Sequence, residues 1–155
     1  MSNEINAFLA PEDVLLDIDA RCKRDLLTKI AKHASGRLGL DCTALSDALM
    51  TREQLGTTAI GQGVAIPHAK VDIDRLWGFF ARTARPVEFD ALDDKPVDLL
   101  FLLLAPATAT AEHLKALSRI ARTVRPAATQ KALRGASDRE SLYALATGEI
   151  DAAAA

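Results

Sequence analysis

Arg52-Glu53-Gln54-Leu55-Gly56-Thr57-Thr58-Ala59-Ile60-Gly61-Gln62-Gly63-Val64-Ala65-Ile66-Pro67-His68-Ala69-Lys70 is the stretch around which the chain is organised. Gly56, Gly61 and Gly63 fall close together, so this backbone can take positive φ and let another group approach closely. Val64-Ala65-Ile66 reads as a short extended run. Pro67 fixes its own φ and holds Ile66 in the extended region. His68 follows on that stiffened backbone, where the apolar run ends. A neutral imidazole is a good nucleophile near pH 7 and can carry a covalent group.

Upstream, Val14-Leu15-Leu16-Asp17-Ile18 reads as a strand or an extended arm. Leu26, Leu27, Ile30, Ala31 and Ala34 recur at helical spacing, which predicts a helix from about Cys22 to Arg37, with Gly36 and Gly39 at or beyond its end. His33 lies off that apolar stripe, beside Lys32, and reads as a solvated surface histidine. A second helix is predicted from about Thr43 to Leu55. Asp41 or Thr43 is suited to cap it, Leu45, Ala48 and Leu49 form its buried side, and Gly56 suits the position after its end. Arg52 then falls in its last turn. It is either a surface cation favoured at a helix C-terminus or a guanidinium aimed at an anion in the glycine loop.

Downstream, Lys70 to Arg75 reads as a polar turn. Leu76 to Ala84 reads as a strand, with Val87-Glu88-Phe89 a separate extended piece after Pro86. Asp90 to Lys95 reads as a polar loop. Val97 to Ala105 is almost continuously apolar, which predicts a central strand buried on both faces. Helices on both sides of a sheet would cover it, so the expected class is α/β, a central mixed sheet flanked by helices on both faces in a single domain. A third helix is predicted from about Ala111 to Val124, capped by Thr108 or Thr110, with Leu114, Leu117, Ile120 and Ala121 facing the core. His113 sits in its first turn at the edge of that stripe. It reads as a structural histidine or as a partner of His68. A metal pair with His68 is a poor fit, because no third ligand stands at helical spacing. Short helices near Thr129–Arg134 and Ser137–Ala146 follow, the second opened by a Ser137/Glu140 capping box. The tail, 149–155, is expected to be frayed.

Bulk properties exclude several classes. The chain has 155 residues, enough for one domain with a real core. Its formal net charge of −2 and scattered basic residues give no nucleic-acid footprint. Cys22 and Cys42 form no metal spacing and read as reduced thiols of a cytoplasmic protein. No apolar segment follows N-terminal positive charges, so no signal peptide is expected, and Leu99 to Ala107 is too short to span a bilayer.

Arg52-Glu53, Leu55-Gly56, Thr58, Gly61, Gly63 and Ala65-Ile66-Pro67-His68 together resemble the signature of phosphotransferase-system enzyme IIA domains of the fructose/mannitol superfamily. The resemblance runs from about residue 8 to 148 and is strongest over Arg52–Lys70 and Val97–Leu117. Its nitrogen-regulatory branch is the most similar. The resemblance implies that His68 accepts a phosphoryl group, on Nε2 in the family. It implies that Arg52 lies at the phosphorylation site, and that His113, in a His-Leu pair after a strand ending Ala105-Pro106, assists. Thr58, Gly61 and Gly63 are the expected further phosphate-binding positions; Glu53 matches the family without an assigned role, and Thr57 reads as a surface loop residue.

The implied chemistry is reversible phosphoryl transfer from a phosphohistidine on an HPr-like carrier. His68 must be neutral to attack, and positive or donor groups must meet the equatorial oxygens. The donor phosphoryl is already activated, so no metal and no cofactor are expected. Family members of the nitrogen branch act on other proteins according to phosphorylation state, sensor kinases and potassium-uptake systems among them. The alternatives are a sugar-transport IIA subunit serving a fructose- or mannitol-type IIB domain, and a non-catalytic binding module. A metallohydrolase fits least. No nucleic-acid or membrane partner is expected.

Overall fold

β6 (Val97–Pro106) forms the middle of the molecule, and its alternation explains the layers. In the computed structural model, which describes residues 4–152, Leu99, Phe101 and Leu103 point into one apolar cluster and Leu100, Leu102 and Leu104 into another. A strand places successive side chains on opposite faces, so a run apolar at every position must be covered twice. One cover is α1 (Lys23–Leu38) and α2 (Cys42–Leu55). The other is α3 (Ala111–Val124), α4 (Ala127–Gly135) and α5 (Arg139–Thr147). The remaining strands are β1 (Leu9–Ile18), β2 (Ala59–Gly61), β3 (Val64–Ala65), β4 (His68–Val71) and β5 (Trp77–Val87). Their order is β1-β5-β6-β3-β2, and β4 pairs with β6 beyond β3. Parallel pairs β1/β5, β3/β6 and β4/β6 combine with antiparallel β5/β6 and β2/β3, so the sheet is mixed.

Several sequence expectations are corrected. Lys70 and Val71 belong to β4 rather than to a polar turn, because the strand runs on beside Ala105 and Pro106. β5 continues through Pro86 to Val87 instead of breaking there; a register irregularity between Arg82 and Val87 takes the proline, which has no ladder donor. Gly36 is inside α1, and Gly39, in the left-handed region at φ 70°, ends it. α3 has no side-chain cap from its threonine. Its buried stripe is His113, Ala116, Ile120 and Val124, one position out of phase with the expected one, and Leu114 is 64% exposed. α5 is capped by Asp138, whose carboxylate accepts from Ser141 N–H at 2.7 Å, and not by Ser137. In the tail, Ala152 packs against the core, while 153–155 lie outside the described residues.

His33 is not a solvated histidine. Its Nε2 lies 2.9 Å from Asp13 Oδ1, and its ring meets Phe79 edge-on. Asp13 is fully buried in β1 and also accepts from Arg37 Nε at 2.8 Å. A buried carboxylate demands such partners, and they let β1 carry an acid inward on the sheet edge.

Gly78 in β5 gives a stability prediction. A Cβ there would stand 2.9 Å from Phe8 Cδ1 and 3.1 Å from Phe101 Cε1, both on buried rings. Gly78→Ala is expected to destabilise the protein by about 1–3 kcal/mol through overpacking. Chemical denaturation measures it, and an unchanged midpoint would show that the rings yield freely.

Candidate functional site

Edge strand β4 brings the site together. Pro67 interrupts the edge between β3 and β4, yet its carbonyl accepts from Leu103 N–H at 2.9 Å, so the interruption keeps the register with β6. His68 therefore stands opposite Leu103, half-buried, at the edge where the two helical layers meet. Arg52 arrives from the end of α2 and His113 from the first turn of α3. The three side chains that the sequence singled out as acceptor, assistant and guanidinium are neighbours.

The ring of His68 has a defined tautomer. Nδ1 lies 3.0 Å from the Ile66 carbonyl, which can only accept, so Nδ1 carries the proton. Nε2 then holds the lone pair. It faces Arg52, whose Nε donates across a loose 3.4 Å, while Arg52 Nη1 is anchored on the Gly56 carbonyl at 2.9 Å. The His113 ring stands nearly perpendicular to that of His68, at 83° and 5.3 Å between centroids. His113 is buried, and its Nδ1 has no hydrogen-bond partner among the described residues. Burial first, then the neighbouring His68 and Lys70, hold the His113 pKa below its ordinary value.

Glu53, unassigned from sequence, is a buried clamp. Its carboxylate accepts the Thr58 N–H at 2.8 and 3.1 Å and also the Thr58 hydroxyl. Lys23 Nζ stands 3.6 Å away and balances its charge. The chain of bonds continues: Thr58 C=O accepts from Ile66 N–H at 3.0 Å, and Ile66 C=O accepts from His68 Nδ1. The end of α2 is thereby linked, through three bonds, to the tautomer of His68. Only the three-dimensional path shows this; the sequence signal was the Glu53/Thr58 spacing alone. Thr57 is not a free loop residue either, since its hydroxyl donates to the Phe89 carbonyl at 2.8 Å.

Two expected phosphate positions are placed elsewhere. Gly61 (φ 100°) and Gly63 (φ 83°) flank the β2/β3 hairpin turn. Gly63 C=O accepts from Leu99 N–H, whereas His68 pairs with Leu103. Four residues of strand separate those levels, roughly 13 Å. Gly63 is needed there because a Cβ would lie 2.6 Å from Arg134 Nη2 and 2.9 Å from Asp98 Oδ1, inside the Arg134–Asp98 ion pair. Thr58 does line a cavity of about 250 Å³ beside His68, but its hydroxyl proton is committed to Glu53.

On the other side of His68 opens a cavity of about 440 Å³, whose polar walls include Thr51, Arg52, His68, Lys70 and His113, with Leu55 at the rim. No carboxylate among the described residues lines it. Among the described residues, no group of three or more His, Cys, Asp or Glu side chains is placed to hold a metal ion. No helix among them is long and apolar enough to cross a membrane.

Residues 7–147 match the family model for the phosphoenolpyruvate-dependent sugar phosphotransferase system, EIIA 2. A "Nitrogen regulatory protein" of Bradyrhizobium diazoefficiens is 44% identical over 142 residues, 91% of this chain and 93% of the relative. The Escherichia coli protein of the same description is 37% identical over 146 residues, 93% of this chain and 90% of the relative. A crystal structure of nitrogen regulatory protein IIA-Ntr from Neisseria meningitidis superposes with a TM-score of 0.88 at 36% identity, covering 92% of this chain and 99% of that one.

Proposed function

Since the chain belongs to the EIIA type-2 family of the phosphoenolpyruvate-dependent phosphotransferase system, we propose that His68 Nε2 accepts a phosphoryl group from an HPr-like phosphocarrier. The phosphorylation state then governs binding to regulatory protein targets in the cytoplasm, of which sensor kinases and potassium-uptake systems are the expected kinds. The observation that carries this reading is the lone pair on Nε2, held outward by the Nδ1–Ile66 bond and faced by Arg52.

The geometry supports a single displacement step. Nε2 attacks phosphorus as the P–N bond of the donor breaks, and that electron pair returns to the donor imidazole. No proton need leave His68, because Nε2 carries none. Arg52 meets the equatorial oxygens, and positioning with electrostatics supplies the catalysis. His113, neutral at rest, turns toward the new charge. The regulatory reading is favoured over sugar transport because the relatives matched nearly end to end bear the nitrogen-regulatory description.

Incubation with phosphoenolpyruvate, enzyme I and the charged carrier tests the reading. Intact mass is expected to rise by one acid-labile phosphoryl group, mapped to the peptide holding His68. No gain from a demonstrably charged carrier would sink it. Delivery of the group onward to a fructose- or mannitol-type IIB domain would turn the reading to sugar transport.

A pH prediction follows from His113. Its pKa lies below the ordinary imidazole value of 6.5, so at pH 7 it is neutral. A phosphoryl group on His68 brings roughly two negative charges beside it, and opposite charge favours the protonated ring. NMR titration should show the His113 pKa rising on phosphorylation. A pKa that stays put would remove His113 from the phosphoryl environment.

A further inference from the structure

Among the described residues, Lys70 is the one cation on the His68 cavity that has no work in the fold. It stands two residues after His68 in β4, and a strand returns to the same face every second residue, so the two Cα atoms are about 6.6 Å apart along one side. Both side chains line the cavity that also holds Arg52 and His113. Ala69, between them, packs against the cluster beneath α1 and α2 and also lines the cavity. Arg52 is anchored on Gly56, and Lys23, Arg37, Arg82, Arg85 and Arg134 all have carboxylate partners. Lys70 is exposed and, among the described residues, makes no hydrogen bond or ion pair. Its charge nonetheless reaches the His113 ring. An unpaired lysine beside a nucleophile, in a cavity without a carboxylate, is a compact cation with three rotatable donors waiting for an anion.

We infer that Lys70 is a further catalytic residue of phosphoryl transfer, whose ammonium binds the equatorial phosphoryl oxygens as the group passes between the donor and His68 Nε2. This rests on the reading of His68 as the acceptor. Arg52 approaches from the α2 side and Lys70 from further along β4, so the two cations meet the group from different directions. The bond changes are unchanged: one P–N bond breaks, one forms, and Lys70 keeps its protons throughout.

Single-turnover transfer tests it, with Lys70→Met, Lys70→Arg and, as a surface-charge control, Lys115→Met on the exposed face of α3. Rates are measured against carrier concentration, and again with phosphoramidate as a small donor that needs no docking. Lys70→Met should lower the rate at saturating carrier about tenfold, the loss of one charged hydrogen bond. It should slow phosphoramidate transfer likewise, with an unchanged thermal midpoint. Lys70→Arg should restore most of the rate, and Lys115→Met should match wild type. A Lys70→Met protein with only its half-saturating carrier concentration raised, or slowed with carrier but not with phosphoramidate, would make Lys70 a docking residue and overturn the inference. Wild type that gains no phosphoryl group on His68 would overturn the function reading itself, and this inference with it.

Discussion

His68→Ala is expected to abolish phosphoryl gain altogether, while His113→Ala gains the group slowly. The difference follows from what each ring supplies. In the proposed transfer His68 provides the lone pair that forms the new bond, and among the described residues no other side chain in its cavity offers one in the same position. Arg52 is always protonated and cannot substitute. His113 is buried and, in the proposed transfer, enters only as a donor to the oxygens, so its loss should remove electrostatic help and leave the bond-forming atom in place. Intact-mass measurement under charged-carrier conditions reads both variants. His68 is half-buried at the sheet edge, and its replacement forfeits one hydrogen bond to Ile66, worth about 1 kcal/mol, so the variant should remain folded. A phosphorylated His68→Ala protein would move the acceptor to another residue.

Glu53→Ala should cost about 3–5 kcal/mol of stability, the largest of the expected losses, because it breaks a buried ion pair from one side. Three groups lose their partner at once: the Thr58 N–H, the Thr58 hydroxyl and one flank of the Lys23 ammonium. Lys23 retains Asp90 at 3.4 Å and Phe89 beneath it, which keeps the cost from rising further. For a chain of this size the melting midpoint should fall by about 10 °C. The variant should also transfer slowly where it remains folded, since Thr58 orients Ile66 and Ile66 holds the tautomer of His68. Glu53→Gln separates the effects. Its amide oxygen still accepts from Thr58, so transfer should recover ahead of stability. Thermal unfolding beside single-turnover rates measures both, and a Glu53→Ala protein as stable as wild type would show that the clamp carries no net energy.

Signals that depend on local chemistry were legible in the sequence. The apolar run at β6 announced a doubly covered strand, and α3 spans the expected Ala111 to Val124. His68, Arg52 and His113 were named from the glycine-rich stretch and its resemblance, and the fold brings them to one edge. Features set by long-range partners were not legible. His33 reads as a solvated histidine until Asp13, buried in β1, meets it and Arg37 from across the sheet edge. Leu114 fits an apolar helical stripe, but the sheet lies under His113 and Ala116 instead. Gly61 and Gly63 resemble a phosphate cradle in sequence, and in space they make a hairpin turn around an ion pair. Spacing along the chain says nothing about which end of a strand a turn occupies.

β4 is bonded residue by residue to β6, from Leu103 to Pro106, and β6 is the strand with water on neither face. The element proposed to carry the phosphoryl group is thus fastened to the part of the molecule least able to bend. A signal written there has little freedom to travel as a change of shape. It is better suited to travel as potential: Arg52 and Lys70 give the rim two positive charges, and a phosphoryl group brings it to about neutral. A partner facing this rim with acidic groups would grip the bare protein and release the modified one, reading the sign of a field from a surface whose contour stays the same.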